Sequence, residues 1–500
     1  MLTPRMQRLV LAAVLIAISS FWIARIDGSA ITKDASHSLQ MALNLERHGV
    51  LSMSNDMPLR PSMYREPLPV VTEAAAIQVV DAILGPAEMK EYFQGERARW
   101  MKYQNFIWTT LLFVAVFWIT RDLTRSFLLG LLAAVLALRP FSPNSGMGVN
   151  SLLTELPATA LLVVSSLLLV KALKSKRALH FILCGAAFGL LTLTKAAFLY
   201  IFAGVAAILL LAQFLNATRW VGARPTHVAV LVSAFAALVA PWMLRNLVTF
   251  GAFQISERGG LMIYWRGLFN QMTADEYKGA VYLWAPNRLE PALGSLLGFS
   301  PADLERGGRL QRLNNDERSS FYAEDLEAER QGRPDATFTY YRQGRAERVR
   351  LGTLYEREGH PHPTLAADEQ MFASGVQMLR KHPLRALASV PLFIWRGAPL
   401  MWPLLAIALV YGIRNRRQAL TAFVLPAFGL LSFHALLSIF VSRYAVNAWP
   451  VMIVCLAVFA QALWAPRAPA VRAVFSRALD ASTSMLLKRT DKATVTSRLR

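Results

Sequence analysis

Cysteine is almost absent: the chain of 500 residues has two, Cys184 and Cys455, both inside apolar runs. That excludes a disulfide framework and a cysteine-type zinc site. Acidic residues are scarce as well, 32 against 53 Lys and Arg, which leaves a net charge of +21. In a soluble chain such an excess would point to nucleic acid. No nucleic-acid motif occurs here, and the cations lie mostly in short segments between apolar runs and in the tail. Internal repeats, inverted or parallel, are also missing, although many transporters carry them. What the chain has in quantity is apolar sequence, 54% hydrophobic residues with a mean hydropathy of +0.35. That composition, gathered into long runs, is that of a polytopic membrane protein.

The runs predict about ten spans: Leu9–Ala24, Phe106–Thr120, Phe127–Leu138, Leu156–Val170, two within Leu179–Leu215, Val228–Leu244, Pro399–Ile413, Ala419–Val441 and Ala445–Trp464. The stretch Leu179–Leu215 must hold two, because it far exceeds the about 20 residues one bilayer crossing needs and is broken by a single charge, Lys195. Arg5 and Arg8 before Leu9–Ala24 and Gly28-Ser29-Ala30 after it resemble a signal peptide. We read it as an uncleaved span, since cleavage would leave a multispanning chain with an unanchored start. The fold class is therefore all-α integral membrane, with interfacial helices in the first outer loop and a large outer loop before the last three spans. Residues 1–250 form a transmembrane module with that first loop, 251–397 an extracytoplasmic loop region, 398–465 the C-terminal spans and 466–500 a basic cytoplasmic tail.

Arg5/Arg8, Arg121/Arg125, Lys171–Arg177, Arg219/Arg224, Arg414–Arg417 and the tail all fall on one predicted side, which the positive-inside rule makes cytoplasmic. The protein is thus expected in the plasma (inner) membrane, with the Asp34 stretch, Glu155, Lys195, the long loop and Arg443 outside. The loop from Gly251 to Arg396 is far longer than ordinary connections and should carry its own structure.

The stretch Ile26–Gly49 organises the outer side. Leu39, Ala42 and Leu43 share one helical face, Gly49 reads as the stop, and Asp34 stands at the N-cap position, where its carboxylate would accept first-turn amides. Asp34 is either only a cap or a carboxylate with chemistry to perform. A second helix, Glu73–Leu84, reads as interfacial. Glu155 is a second outer acid; Arg65, Lys195, Arg245 and Arg443 are outer cations, and all but Arg65 stand at span ends. Charge near the bilayer is a functional hypothesis by default, while Lys or Arg at a helix end also snorkels. Met262–Phe269 could line a sugar site through Tyr264 and Trp265, or serve as an interfacial belt; His434 reads as a hydrogen-bonded packing residue. One or two carboxylates with several cations at one membrane face suit transfer of a sugar from a polyprenyl phosphate. The acceptor hydroxyl needs a base and the departing phosphate needs cations.

The motifs run in order. Asp34-Ala-Ser-His-Ser-Leu-Gln-Met-Ala42-Leu-Asn-Leu45-Glu-Arg-His-Gly49 is followed by Tyr64-Arg65-Glu66-Pro67-Leu68-Pro69, Leu153-Thr154-Glu155-Leu156-Pro157, Gly189-Leu-Leu-Thr-Leu193-Thr194-Lys195, Pro241-Trp242-Met-Leu-Arg245-Asn246 with Phe250-Gly251, and Arg443-Tyr444 before Pro450. In this series the chain resembles the GT-C superfamily of membrane glycosyltransferases, in particular the branch with protein O-mannosyltransferases and the bacterial lipid A aminoarabinose transferase. The resemblance covers Leu9–Gly260 and, more loosely, Ala366–Pro450. It departs in lacking an aromatic between the prolines after Arg65 and a bulky partner beside Asp34, and residues 286–362 match nothing in the pattern.

The resemblance implies an extracytoplasmic active site, a polyprenyl-phosphate sugar donor, inversion at the anomeric carbon, and a glycan, lipid or protein acceptor. It implies Asp34 as catalytic carboxylate, acting directly or through a divalent metal with Glu155 as second ligand, and Arg65, Lys195 and Arg245 on the phosphate, with Tyr264 on the substrate. The competing classes are a transporter or flippase and a non-catalytic subunit of an envelope polysaccharide assembly system. One-sided charges and a long outer loop are unlike the midplane sites of transporters.

Overall fold

The computed structural model describes residues 3–214 and 223–464; Arg219 and the basic tail lie outside them. The described residues form helices and turns with no strand. Seven helical stretches are long and apolar enough to cross a membrane, eight if the pair Pro383–Gly397 and Met401–Arg414, bent by 106°, is one span. The protein is a multi-pass membrane protein.

In chain order the first half gives α1 (Pro4–Ile23), α2 (Asp34–His48), α3 (Pro67–Leu84), α4 (Glu96–Lys102), α5 (Asn105–Thr124), α6 (Phe127–Ala137), α7 (Glu155–Ser175), α8 (Ala178–Thr194), α9 (Ala197–Phe214) and α10 (Pro225–Phe250). Each of the ten expected runs holds a helix among the described residues, but α6, α8 and α9 are shorter than a full crossing helix, as is Met401–Arg414 unless it is joined to Pro383–Gly397. The other difference is α3. It was expected to be interfacial from Glu73 onward, yet it starts at Pro67 and is apolar enough to span. Pro67 and Pro69 fall in the first turn, where a missing amide N–H costs nothing, so the prolines begin the helix instead of delaying it.

α7 is the central helix, packed against α5, α8 and α20 (Gln418–Leu437). α8 crosses α10 closely enough that a Cβ at Gly185 would lie 2.2 Å from the Leu231 carbonyl oxygen, so only glycine fits. Of α1, Trp22 alone is buried.

The first outer loop is a packed layer with its own core. Leu39, Met41, Ala42 and Leu43 of α2 are fully buried against Val70, Ile77 and Val80 of α3 and Met101 of α4. Gly49 ends α2 at φ 68°, as expected. Lys102 ties the layer to the end of α1: its buried ammonium donates to the Asp27 and Ser29 carbonyls, to Asp27 Oδ1 and to Ser29 Oγ at 2.9–3.2 Å.

The long outer loop is helical throughout: α11 (Gly259–Phe269), α12 (Ala274–Leu283), α13 (Glu290–Leu297), α14 (Tyr322–Arg330), α15 (Tyr340–Arg357) and α16 (Pro363–Lys381). An ion pair and hydrogen bonds to buried carboxylates knit the part that matched no pattern. Arg312 donates to both Glu276 oxygens at 2.7 and 2.8 Å, Tyr340 donates to Glu276, and Thr339 and the Phe338 amide donate to Asp325. α16 ends at Lys381, ahead of His382-Pro383. Then come α17 (Pro383–Ala388), α18 (Val390–Gly397), α19 (Met401–Arg414), α20, α21 (Ser442–Ala445) and α22 (Trp449–Trp464).

Candidate functional site

Four stretches far apart in sequence meet at Asp34. Asp34 is the first residue of α2, not its cap. The cap position belongs to Lys33, at φ 58° and ψ −134°, and no side chain caps the helix. This overturns the expected capping role. The carboxylate is turned away from its own helix because three guanidinium groups hold it. Arg65 Nη2 donates to Oδ1 at 2.6 Å, Arg258 Nη1 to Oδ1 at 3.4 Å and Arg443 Nη1 to Oδ2 at 3.0 Å. Arg65 Nη2 also donates to the Asp34 carbonyl at 2.9 Å and lies 3.0 Å from His37 Nδ1.

Glu155 stands at the start of α7 and is 1% exposed. Its Oε1 accepts from Arg443 Nε at 2.6 Å and from Lys195 Nζ at 3.1 Å, while Oε2 is buried without a partner. Lys195 is the extended residue between α8 and α9, and Glu66, next to Arg65, accepts the Ala196 amide at 3.4 Å. Asp34, Glu155, Arg65 and Lys195 therefore belong to one network, joined by Arg443 and Arg258.

The motif around Pro241 explains Arg258. Trp242 and Asn246 lie one turn apart on α10. Trp242 Nε1 donates to the Ile255 carbonyl at 2.9 Å and Asn246 Nδ2 to the Gln254 carbonyl at 2.8 Å. The chain leaving α10 is thereby bound back along the helix, which delivers Arg258 to Asp34. Asp368 of α16 then accepts the Gly260 and Leu261 amides at 2.8 and 3.2 Å and caps α11. A Cβ at Gly260 would meet the Asp368 carbonyl oxygen at 1.8 Å, so the approach requires glycine.

Tyr64 lies under the cations: the guanidinium carbons of Arg65, Arg258 and Arg348 are 5.5, 5.4 and 5.3 Å from its ring centre, and His37 meets it edge-on. Arg348 comes from α15, within the stretch that matched no pattern. The ring's negative face offsets part of the cations' repulsion.

Electrostatics follow from this packing. Burial raises the Asp34 carboxyl, and the guanidinium groups of Arg65, Arg258 and Arg443 outweigh it, holding Asp34 well below the usual carboxylate range. Burial and the Arg65 charge push His37 down. Glu257, buried beside Arg258, is pushed up to about 7 by burial, against the opposing charge of Arg348. Four cations against the carboxylates of Asp34 and Glu155 leave a positive excess.

Two expected residues lie apart from the network. Arg245 donates to Asn246 Oδ1 at 2.8 Å and rests near the rings of Trp242 and Phe250, at 4.9 and 5.1 Å, without an ion pair. Tyr264 faces α15, where its hydroxyl is pushed up to about 12 by burial and Glu347. Trp265 packs against Tyr341 and donates to its carbonyl, so it serves the loop core. Arg258 and Arg348 escaped the sequence reading. Neither stands at a span end, and Arg348 sits in the arginine-rich run of α15 with nothing in its spacing to set it apart.

The donor set does not suit a divalent cation as arranged. Both Asp34 oxygens and Glu155 Oε1 already accept from cationic groups, and no group of three or more His, Cys, Asp or Glu side chains is assembled among the described residues. A metal ion would enter a region of net positive charge.

No family model matches the sequence, and no curated protein matches it. Among solved structures, the oligosaccharyltransferase AglB of Archaeoglobus fulgidus is similar at 11% identity and a TM-score of 0.44 over 91% of this chain, which spans about half (50%) of that protein's length. ArnT of Cupriavidus metallidurans is similar at 13% identity and a TM-score of 0.35, over 88% of this chain and 77% of that one; it has also been solved bound to undecaprenyl phosphate.

Proposed function

We propose that the protein is a membrane glycosyltransferase of GT-C type, moving a sugar from a polyprenyl phosphate to an extracytoplasmic hydroxyl with inversion. The observation that carries this reading is the Asp34 carboxylate set among Arg65, Arg258 and Arg443, with Lys195 on the adjoining Glu155. A cationic excess at a membrane face suits an anion held on a lipid, and arginine binds phosphate through paired donors. Asp34 takes the proton of the acceptor hydroxyl as that oxygen bonds to the anomeric carbon. The bond from that carbon to the phosphate oxygen breaks, and its electron pair leaves with the phosphate, whose charge the guanidinium groups stabilise. Glu155 holds Arg443 and Lys195 in place, and the reaction is written without a metal. Arg245, with no ion pair of its own, is free to reach the phosphate.

The transporter reading is less well served. The charges form one network around Asp34 and Glu155, and the one bent helix pair among the described residues, Pro383–Gly397 with Met401–Arg414, has no matching counterpart there. The test is transfer itself. Mass spectrometry of envelope glycans with and without the protein should reveal a missing sugar, and Asp34→Asn should abolish its addition by about 10²-fold or more. Normal transfer by a normally expressed Asp34→Asn protein would remove the assignment.

A further inference from the structure

Both oxygens of Asp34 are occupied. Arg65 and Arg258 share Oδ1, and Arg443 holds Oδ2. A carboxylate so neutralised is a poor proton acceptor, since general-base catalysis works best when the base titrates near the operating pH. Oδ1 already accepts from two guanidinium groups, so a hydroxyl approaching that oxygen must displace one of them, while Oδ2 accepts from Arg443. Yet these guanidinium groups are the ones an arriving phosphate would draw on.

They are not equally bound. Arg65 is fixed three ways, to Asp34 Oδ1, to the Asp34 carbonyl and beside His37. Arg443 is committed to Glu155 at 2.6 Å through its Nε. Arg258 has the longest contact, 3.4 Å, and it is its one hydrogen bond to Asp34, while its Nε, like that of Arg65, is buried without a partner among the described residues. It is the guanidinium that can leave Asp34 at least cost, and its unused donors favour a ligand that accepts in pairs.

We propose that Arg258 is a positioning residue that masks Asp34 until a lipid phosphate binds, whereupon it moves from Asp34 Oδ1 to the phosphate and opens that oxygen to the acceptor hydroxyl. Binding is then ordered, phosphate-bearing donor first and acceptor second, and a hydroxyl entering alone finds Oδ1 filled and a carboxylate whose basicity three guanidinium groups suppress. In the transfer step the acceptor proton goes to Oδ1, the bond from the anomeric carbon to the phosphate oxygen breaks, and Arg258 stays on the departing phosphate. This inference rests on the transferase reading and adds to it a binding order and a residue.

The experiment reads Asp34 directly. A carbodiimide modifies protonated carboxyl groups, so its rate of reaction at Asp34, resolved by peptide mass spectrometry, reports how firmly that proton is excluded. Purified full-length protein in detergent is labelled alone, with undecaprenyl phosphate, with inorganic phosphate and with neutral undecaprenol, and lipid binding is measured in the same samples. Slow labelling is expected alone and with undecaprenol, and labelling faster by about tenfold or more with undecaprenyl phosphate, the change in protonated fraction that a pKa rise of one brings. A rise with inorganic phosphate as well assigns the effect to the anion; a rise confined to the lipid assigns it to the whole ligand. Arg258→Gln should label fast without any lipid. Unchanged Asp34 labelling while undecaprenyl phosphate is bound overturns the proposal and leaves the transferase reading standing, as does an Arg258→Gln protein that labels no faster than the parent. Failure of the lipid to bind at all removes both.

Discussion

Arg443 Nη1 donates to Asp34 Oδ2 at 3.0 Å, although 409 positions separate the two residues. The same guanidinium reaches Glu155 through Nε. The two bonds leave the guanidinium from different nitrogens of one rigid fork, whereas a lysine's three donors all radiate from a single nitrogen. Arg443→Lys should therefore keep the charge and lose the bridge, leaving the buried Glu155 short of a partner at a cost of about 1–3 kcal/mol. Thermal unfolding in detergent measures this. Adding Glu155→Gln should recover part of the loss, with a coupling of about 0.5–3 kcal/mol. A single variant as stable as the parent would show that the bridge is idle.

Arg245 and Lys195 should separate binding from stability. Arg245 makes no ion pair, so Arg245→Gln should leave unfolding nearly unchanged. Loss of a charged hydrogen bond of roughly 1.5–3 kcal/mol should still weaken undecaprenyl-phosphate binding about ten- to a hundredfold. Lys195→Gln should lower both, because Glu155 loses a cation. Unaltered lipid affinity in Arg245→Gln would place that residue outside the site.

Glu257 gives a pH signature. Burial first, against Arg348 and Thr364, pushes it up to about 7 from 4.5. Between those values the folded chain holds a proton that the unfolded chain has released, so stability falls as pH rises through that window and is lowest above it. Glu257→Gln should match the parent near pH 4 and exceed it above pH 7 by about 1–3 kcal/mol. An equal difference at both pH values would mean that Glu257 titrates no differently in the folded and the unfolded chain.

The sidedness is open to a simple measurement. Ser295 is exposed on α13, and the native Cys184 and Cys455 are buried. Ser295→Cys should react with a membrane-impermeant maleimide in intact cells. Protection there would move the long loop, and the site with it, to the cytoplasm.

Much of this site was legible because charge is conspicuous in apolar sequence. Asp34, Glu155, Lys195 and Arg443 stood out at the borders of spans, where an ionised group needs a reason. The fold class followed from the same contrast. What the sequence hid was direction. Asp34 fits the pattern of a cap in every respect, yet Lys33 takes the cap position and guanidinium groups from distant stretches hold the carboxylate. Arg258 lay in a loop where arginine is unremarkable, and its destination depends on two hydrogen bonds from α10 that no spacing announces. The helix expected from Glu73 starts earlier, at Pro67, because proline signals a helix start and a break with the same letter.

α1 is held to the rest of the protein by very little. Trp22 is its one buried residue, close to the end where the chain turns toward Asp34, and Leu9, Ile16 and Phe21 lie exposed along its length. Its sequence answers to the lipid more than to the fold. Before Trp22, Leu11, Val14, Leu15 and Ile18 pack part-buried against the core, so an apolar stretch that keeps this one face could replace the rest, which makes most of the helix an interchangeable fitting on a fixed machine. Variation should accumulate there freely, while a change at Trp22 would be felt in the first outer loop.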